Sequence, residues 1–367
     1  MAGSFVRPSL TIKLSVDRFD FDIGYLEGPS YFDEPVFRVL IHELTHFWQT
    51  VSMNFLVKAA LSEWRQLIDY ETSGNTQSQN RFEDKLEQRD KTSGLKPNDL
   101  LEAHALYWDV SILGVFNVKN WRNINRSMVD VGDRKIQRSP SSPITSQSGG
   151  SFDEVMLSDS FYSDPYRMLH NRTDSFFAAL TFPIVVYFAF QTDDPVIAYT
   201  EAVKTIRPLV DGIYGSPDLE KRQEVYFLAI QSHVMRAAET KGLSFTEPRA
   251  VLTDLLNETN QSQINPLLLH YAAKMHTLEE QAKQYGADLN RYFALCGNVQ
   301  YRKELMGGGP MPPLVQFADG EWPLQAMINQ FMRTGAYDET ENDELATIAK
   351  DIGRRWSSYR IAAFVAN

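Results

Sequence analysis

The stretch from Val36 to Phe55 sets the strongest limit on how this chain can fold. Placed on a helix at about 100° per residue with His42 at zero, the large apolar residues Val36, Phe37, Leu40, Ile41, Leu44, Phe47, Trp48, Val51 and Phe55 fall in an arc of about 140° centred near roughly 190°. That face must be covered by a core. His46 falls near about 40°, with Gln49 on the same side, so both imidazoles point away from the buried stripe. Core histidines would sit inside the stripe, whereas these two sit where a cleft would be.

The same stretch contains His42-Glu43-Leu44-Thr45-His46. Two His four residues apart lie on one helix face about 5–6 Å apart, which lets both rings reach one zinc ion, and Glu43 beside the first His can meet a metal-bound water. Composition narrows the ligand types. The single cysteine, Cys296, excludes an internal disulfide and any Cys-rich metal site, leaving His and carboxylate. A net charge of −11, without clustered Lys and Arg, argues against a nucleic-acid binder.

In these residues the chain resembles the zincin metallopeptidases, which favour uncharged residues between the two His and hydrophobic ones on either side; Leu44, Thr45, Phe47 and Trp48 fit. The resemblance spans residues 11 to 113. It implies Zn2+ as cofactor, His42 and His46 as ligands, and Glu43 as general base toward the zinc water. The metzincin branch would carry Gly and His at the positions held here by Gln49 and Ser52. The gluzincin branch takes its third ligand from a Glu on a later helix, often with Ala three residues on, which maps onto Glu102 and Ala105. His104 lies about 200° around that helix from Glu102, so only one of them can face the metal; Glu102 is preferred, with His104 or another carboxylate or His as alternatives. Asp109, at about 340°, is placed to orient a ligand, while the Asp that the family often has four residues after the Glu is Leu106 here. Glu63 is nearer in sequence but would lie about 25 Å along an unbroken helix from His46. The resemblance also implies an oxyanion-stabilising donor, with Tyr162, Tyr166, His170 and Arg172 as candidates, and an edge strand that aligns substrate, for which residues 11–26 are the candidate.

Along the chain, residues 11–26 alternate apolar and polar side chains as half-buried strands do, and a helix starts near Asp33 and runs to about Tyr70. A polar connection at 72–98 leads to a helix from Asp99 to about Leu113. A second polar stretch, 139–160, is rich in Ser, Gly and Pro and reads as a loop or lid. Helices are expected at about 174–190, 194–207, 217–240, 247–258, 263–285, 323–334 and 342–363. The apolar run Phe176–Phe190 contains Pro183 and is shorter than the roughly 20 residues of a membrane span, so it reads as a core helix. No secretory or mitochondrial signature opens the chain, which makes cytoplasmic the expected address.

The expected fold is mainly α (α+β): a zincin-like core with a small N-terminal sheet in residues 1–138, a flexible loop at 139–160, and a helical C-terminal part at 161–367. The expected function is zinc-dependent hydrolysis of a peptide or protein substrate, with no nucleic acid and no membrane span. Two alternatives are an effector or regulatory protein that cuts a single protein partner, and a non-catalytic metal-binding interaction protein. Glu43 favours catalysis, since a structural site needs no base. His233, His270 and His276 read as structural, Cys296 lacks an activating His beside it, and Gly307–Gly309 reads as a turn because no Gly-Lys-Ser/Thr follows.

Overall fold

The computed structural model describes residues 3–16, 34–76, 82–116, 156–158, 163–173, 175–214, 219–284, 286, 288–294, 311–326 and 339–366. Within them the chain is mainly helical with one four-stranded sheet, in line with the mainly α reading. It forms two compact units, one comprising Met1–Lys85, Arg249–Leu289 and Lys303–Asn367, the other Leu86–Pro248 and Asn290–Arg302.

The first unit holds the sheet. β1 (Gly3–Val6) pairs antiparallel with β2 (Thr11–Leu14), Phe5 lying opposite Ile12; β3 (Val315–Phe317) joins β2 in parallel; and β4 (Gly320–Trp322) pairs antiparallel with β3. The strand order is β1-β2-β3-β4. The sheet is therefore not confined to the amino terminus, because β3 and β4 supply half of it. Ile12 and Val315 face each other across the β2–β3 pair and both are fully buried, so β2 needs a partner on each side. Residues 17–26, the rest of the expected strand region, lie outside the described residues.

α1 (Glu34–Ser52) covers this sheet with the apolar stripe. Leu40, Ile41, Phe47, Trp48 and Val51 are buried, while Leu44 is half-buried. Phe47 meets Phe5 of β1 and Tyr271 edge-on, at ring-centroid distances of 6.3 and 5.1 Å. The helix does not continue to Tyr70 as one rod. It breaks at Met53, whose backbone is extended (φ −105°, ψ 115°), and α2 (Asn54–Ser73) follows, ending at Gly74 in the left-handed region. The Ser52 hydroxyl turns back to the Trp48 carbonyl at 2.6 Å, a local bond that competes with the helix ladder at the break.

With the helix broken at Met53, Glu63 does not share one straight rod with His46, and its carboxylate has another task. Glu63 is buried in α2 and accepts from Arg7 Nη1 at 2.8 Å, tying α2 to the turn between β1 and β2. Removing one member of such a pair leaves the other charge in a poorly hydrated site. Glu63→Ala is expected to lower unfolding stability by about 3 kcal/mol, read from the urea midpoint, and Glu63→Gln by less because the amide oxygen still accepts. Asn265 ties the same turn to the helix Pro266–Gln284. Its Nδ2 donates to the Pro8 carbonyl at 2.6 Å and its Oδ1 caps Leu267 N at 3.0 Å. The long helix Glu339–Ala366 packs on this turn, on α2 and on helix Pro266–Gln284, burying Ile352, Trp356 and Tyr359.

The second unit is built around the apolar helix Ser175–Ala189. It packs against the helices Pro97–Phe116, Ser163–His170, Pro195–Lys204 and Leu219–Glu239, and buries Phe182, Val185, Val186, Tyr187 and Phe188 completely. These side chains are core, as the run of apolar residues implied, and no helix among the described residues is long and apolar enough to cross a membrane. Several hydroxyls in and around this core are hydrogen-bonded. Tyr107 Oη donates to the Ala179 carbonyl at 2.7 Å, Tyr199 Oη donates to the Pro165 carbonyl at 2.6 Å, and Thr181 bonds Tyr226. Asp194 caps the helix that Pro195 opens, accepting from Ile197 N at 3.1 Å.

Candidate metal centre

The polar face of α1 gathers the chemistry. His42 and His46 are half-buried, and their Nε2 atoms lie 3.2 Å apart with the rings nearly perpendicular. Two nitrogens bound to one tetrahedral zinc at about 2.05 Å would be about 3.3 Å apart, so the pair already has the spacing of two ligands of one ion. Two lone pairs facing each other at that distance need a proton or a cation between them. His42 and His46 each offer a ligand atom from α1, and Glu102 offers one from the helix Pro97–Phe116; these three side chains are a group that could hold a metal ion.

The donor set, two imidazoles and one carboxylate, suits a borderline divalent ion such as zinc better than calcium or magnesium, which prefer all-oxygen shells. His104, the neighbour weighed against Glu102, is taken up elsewhere. It is fully buried, and its Nε2 accepts from the Trp108 indole N–H at 3.1 Å. Asp109 on the same helix is buried as well.

Glu43 is 6 % exposed and packs against β1. The contact is close because residue 3 has no side chain. A Cβ at Gly3 would collide with Val39 Cγ1 and stand 2.9 Å from Glu43 Oε1, both too short for real contacts. This fit was not legible in the sequence, since nothing marks Gly3 until the strand register is known. β1 is also the strand with an open edge beside α1, pairing only with β2 among the described residues. β2, within the region expected to provide the edge, is paired on both sides and cannot serve.

The remaining candidates divide plainly. Tyr166 is fully buried with its ring against Phe182 and His170, a core position. His170 Nε2 bonds Ser175 Oγ at 3.2 Å, Arg172 is exposed, and Tyr162 lies outside the described residues. His233 bonds the Ala202 carbonyl at 2.9 Å, and His270 sits beside Tyr271 and Glu341; burial holds the His270 imidazole below its usual pKa, Lys274 pushing the same way. His276 is exposed, and it forms no metal group with His270. Cys296, Gly307–Gly309 and residues 139–155 of the polar stretch lie outside the described residues. No family model, no curated protein and no solved structure matches the chain, so its functional reading rests on this geometry.

Proposed function

We propose that the protein is a zinc-dependent metallopeptidase of gluzincin type, with a zincin-like core, acting on a peptide or protein substrate. One observation carries the reading: the His42 and His46 Nε2 atoms meet at 3.2 Å, the spacing of two ligands of one ion, with Glu43 one residue from the first His. Two His and one Glu leave a position open in a tetrahedral site, the pattern of a catalytic centre, whereas structural zinc sites use four protein ligands. A bound zinc ion supplies a Lewis acid that polarises a carbonyl and acidifies water. Glu43 takes the proton of the attacking water and delivers it to the leaving amine. The edge of β1 that has no strand partner among the described residues offers backbone groups that would hold an extended peptide.

The test is the metal content of the purified protein together with cleavage of fluorescently labelled casein, before and after chelation and zinc readdition. About one zinc per chain and cleavage that is lost and restored with zinc are expected. Protein without zinc affinity overturns the metal reading; zinc-loaded protein that leaves casein and denatured protein substrates intact overturns the peptidase assignment.

The tight fit at Gly3 adds a second expectation. Gly3→Val forces Val39 and Glu43 apart from β1, so zinc content stays at the wild-type level while casein turnover falls by about 10²-fold, the order of effect that a 1 Å misplacement of a reacting group produces. Equal turnover in the two proteins would show that Glu43 does not depend on β1 for its position.

A further inference from the structure

Gln49 is almost fully buried, at 1 % exposure, three residues after His46 on the same side of α1. A buried amide on the polar face of a helix needs a partner, and this one has a specific partner. Its Oε1 lies 2.8 Å from His46 Nδ1. A carbonyl oxygen can only accept, so Nδ1 carries the hydrogen, and of the two neutral tautomers this bond selects the one whose Nε2 keeps its lone pair. That Nε2 is the atom 3.2 Å from His42 Nε2. The opposite tautomer would place a hydrogen on Nε2, between the two rings, where a ligand atom is required. The backbone around the ring is fixed in the same dry setting: Thr50 Oγ1 donates to the His46 carbonyl at 2.8 Å and Thr45 Oγ1 to the Ile41 carbonyl at 2.8 Å.

We propose that Gln49 is the positioning residue of the metal centre, selecting the His46 tautomer and ring orientation in which Nε2 is the ligand. The proposal rests on the metal reading above and adds to it a determinant outside the ligand set. Metal-binding imidazoles depend on the group that accepts from their second nitrogen, and losing that group costs about 10- to 100-fold in affinity. Gln49→Leu keeps the bulk and removes the acceptor; Gln49→Glu keeps the acceptor and strengthens it with a charge.

The experiment measures the zinc dissociation constant of the full chain by competition with a chromophoric chelator, for wild type, Gln49→Leu and Gln49→Glu. In parallel, ring-nitrogen chemical shifts of His46 are recorded in the metal-free wild type. Weaker binding by about 10- to 100-fold in Gln49→Leu, with Gln49→Glu at or above wild-type affinity, is the expected pattern. A merely structural role for Gln49 would weaken both variants alike, because a buried carboxylate is no easier to accommodate than an apolar side chain. The ring shifts should show hydrogen on Nδ1. Unchanged affinity in Gln49→Leu, no rescue by Gln49→Glu, or hydrogen on Nε2 in the wild type overturns the assignment of Gln49. Wild type that binds no zinc while its His46 shifts still show hydrogen on Nδ1 overturns the metal reading itself, and with it the ligand role given to His46.

Discussion

The Glu43→Gln protein is expected to purify with the zinc content of the wild type and to cleave casein about 10²- to 10⁴-fold more slowly. The two side chains have the same shape, so the buried place beside Gly3 and Val39 is filled in the same way and the fold is kept. The group that could hold the ion consists of His42, His46 and Glu102, none of which changes. What is lost is the ability to take a proton at neutral pH, because an amide has no basic oxygen. Chelation should lower wild-type cleavage to the level of the variant and leave the variant almost unaffected. A variant that retains turnover removes Glu43 from the base role, and one that loses zinc places its carboxylate among the ligands instead.

What the sequence made legible follows from which signals are local. The stripe on α1 spans several turns, and a period of 3.6 residues repeated that often leaves little choice about which face is buried. The two His at i and i+4 and the carboxylate between them belong to the same local pattern, whereas Glu102 comes from the gluzincin resemblance, the angle to His104 saying only that one of the two can face a metal. The break at Met53 was not legible. No Gly or Pro stands between Val36 and Ser73, so no strong helix-breaking residue announces the break, which is accompanied by the Ser52 hydroxyl bond to the Trp48 carbonyl. β3 and β4 are each three residues long, too short for alternation to be recognised, although Asp319-Gly320 after Val315-Gln316-Phe317 carries a hairpin signal. Gln49 could be placed on the polar face from its spacing, but the bond to His46 needed coordinates. Gly3 shows the same limit more sharply: its role depends entirely on which helix residue the strand meets.

Replacement of Glu102 by alanine should separate the two neighbours on the helix Pro97–Phe116 by two different readouts. Four-ligand zinc sites in small domains have apparent binding free energies of about 10–16 kcal/mol, or roughly 3 kcal/mol per ligand, which corresponds to a factor of about 150 in affinity. Glu102→Ala and His46→Ala are each expected to weaken zinc binding by that order, and both lose the rise in melting temperature that zinc gives the wild type. His104→Ala is expected to do the reverse. Its zinc affinity stays near wild type, since His104 Nε2 is engaged by the Trp108 indole and is no member of the ligand group. Its metal-free stability falls by about 3 kcal/mol, because the indole N–H loses its acceptor in a buried site and the ring leaves a cavity. If His104→Ala lost zinc and Glu102→Ala kept it, the third ligand would be His104, the helix would have to turn by about 160° to present it, and the bond to Trp108 would have to break.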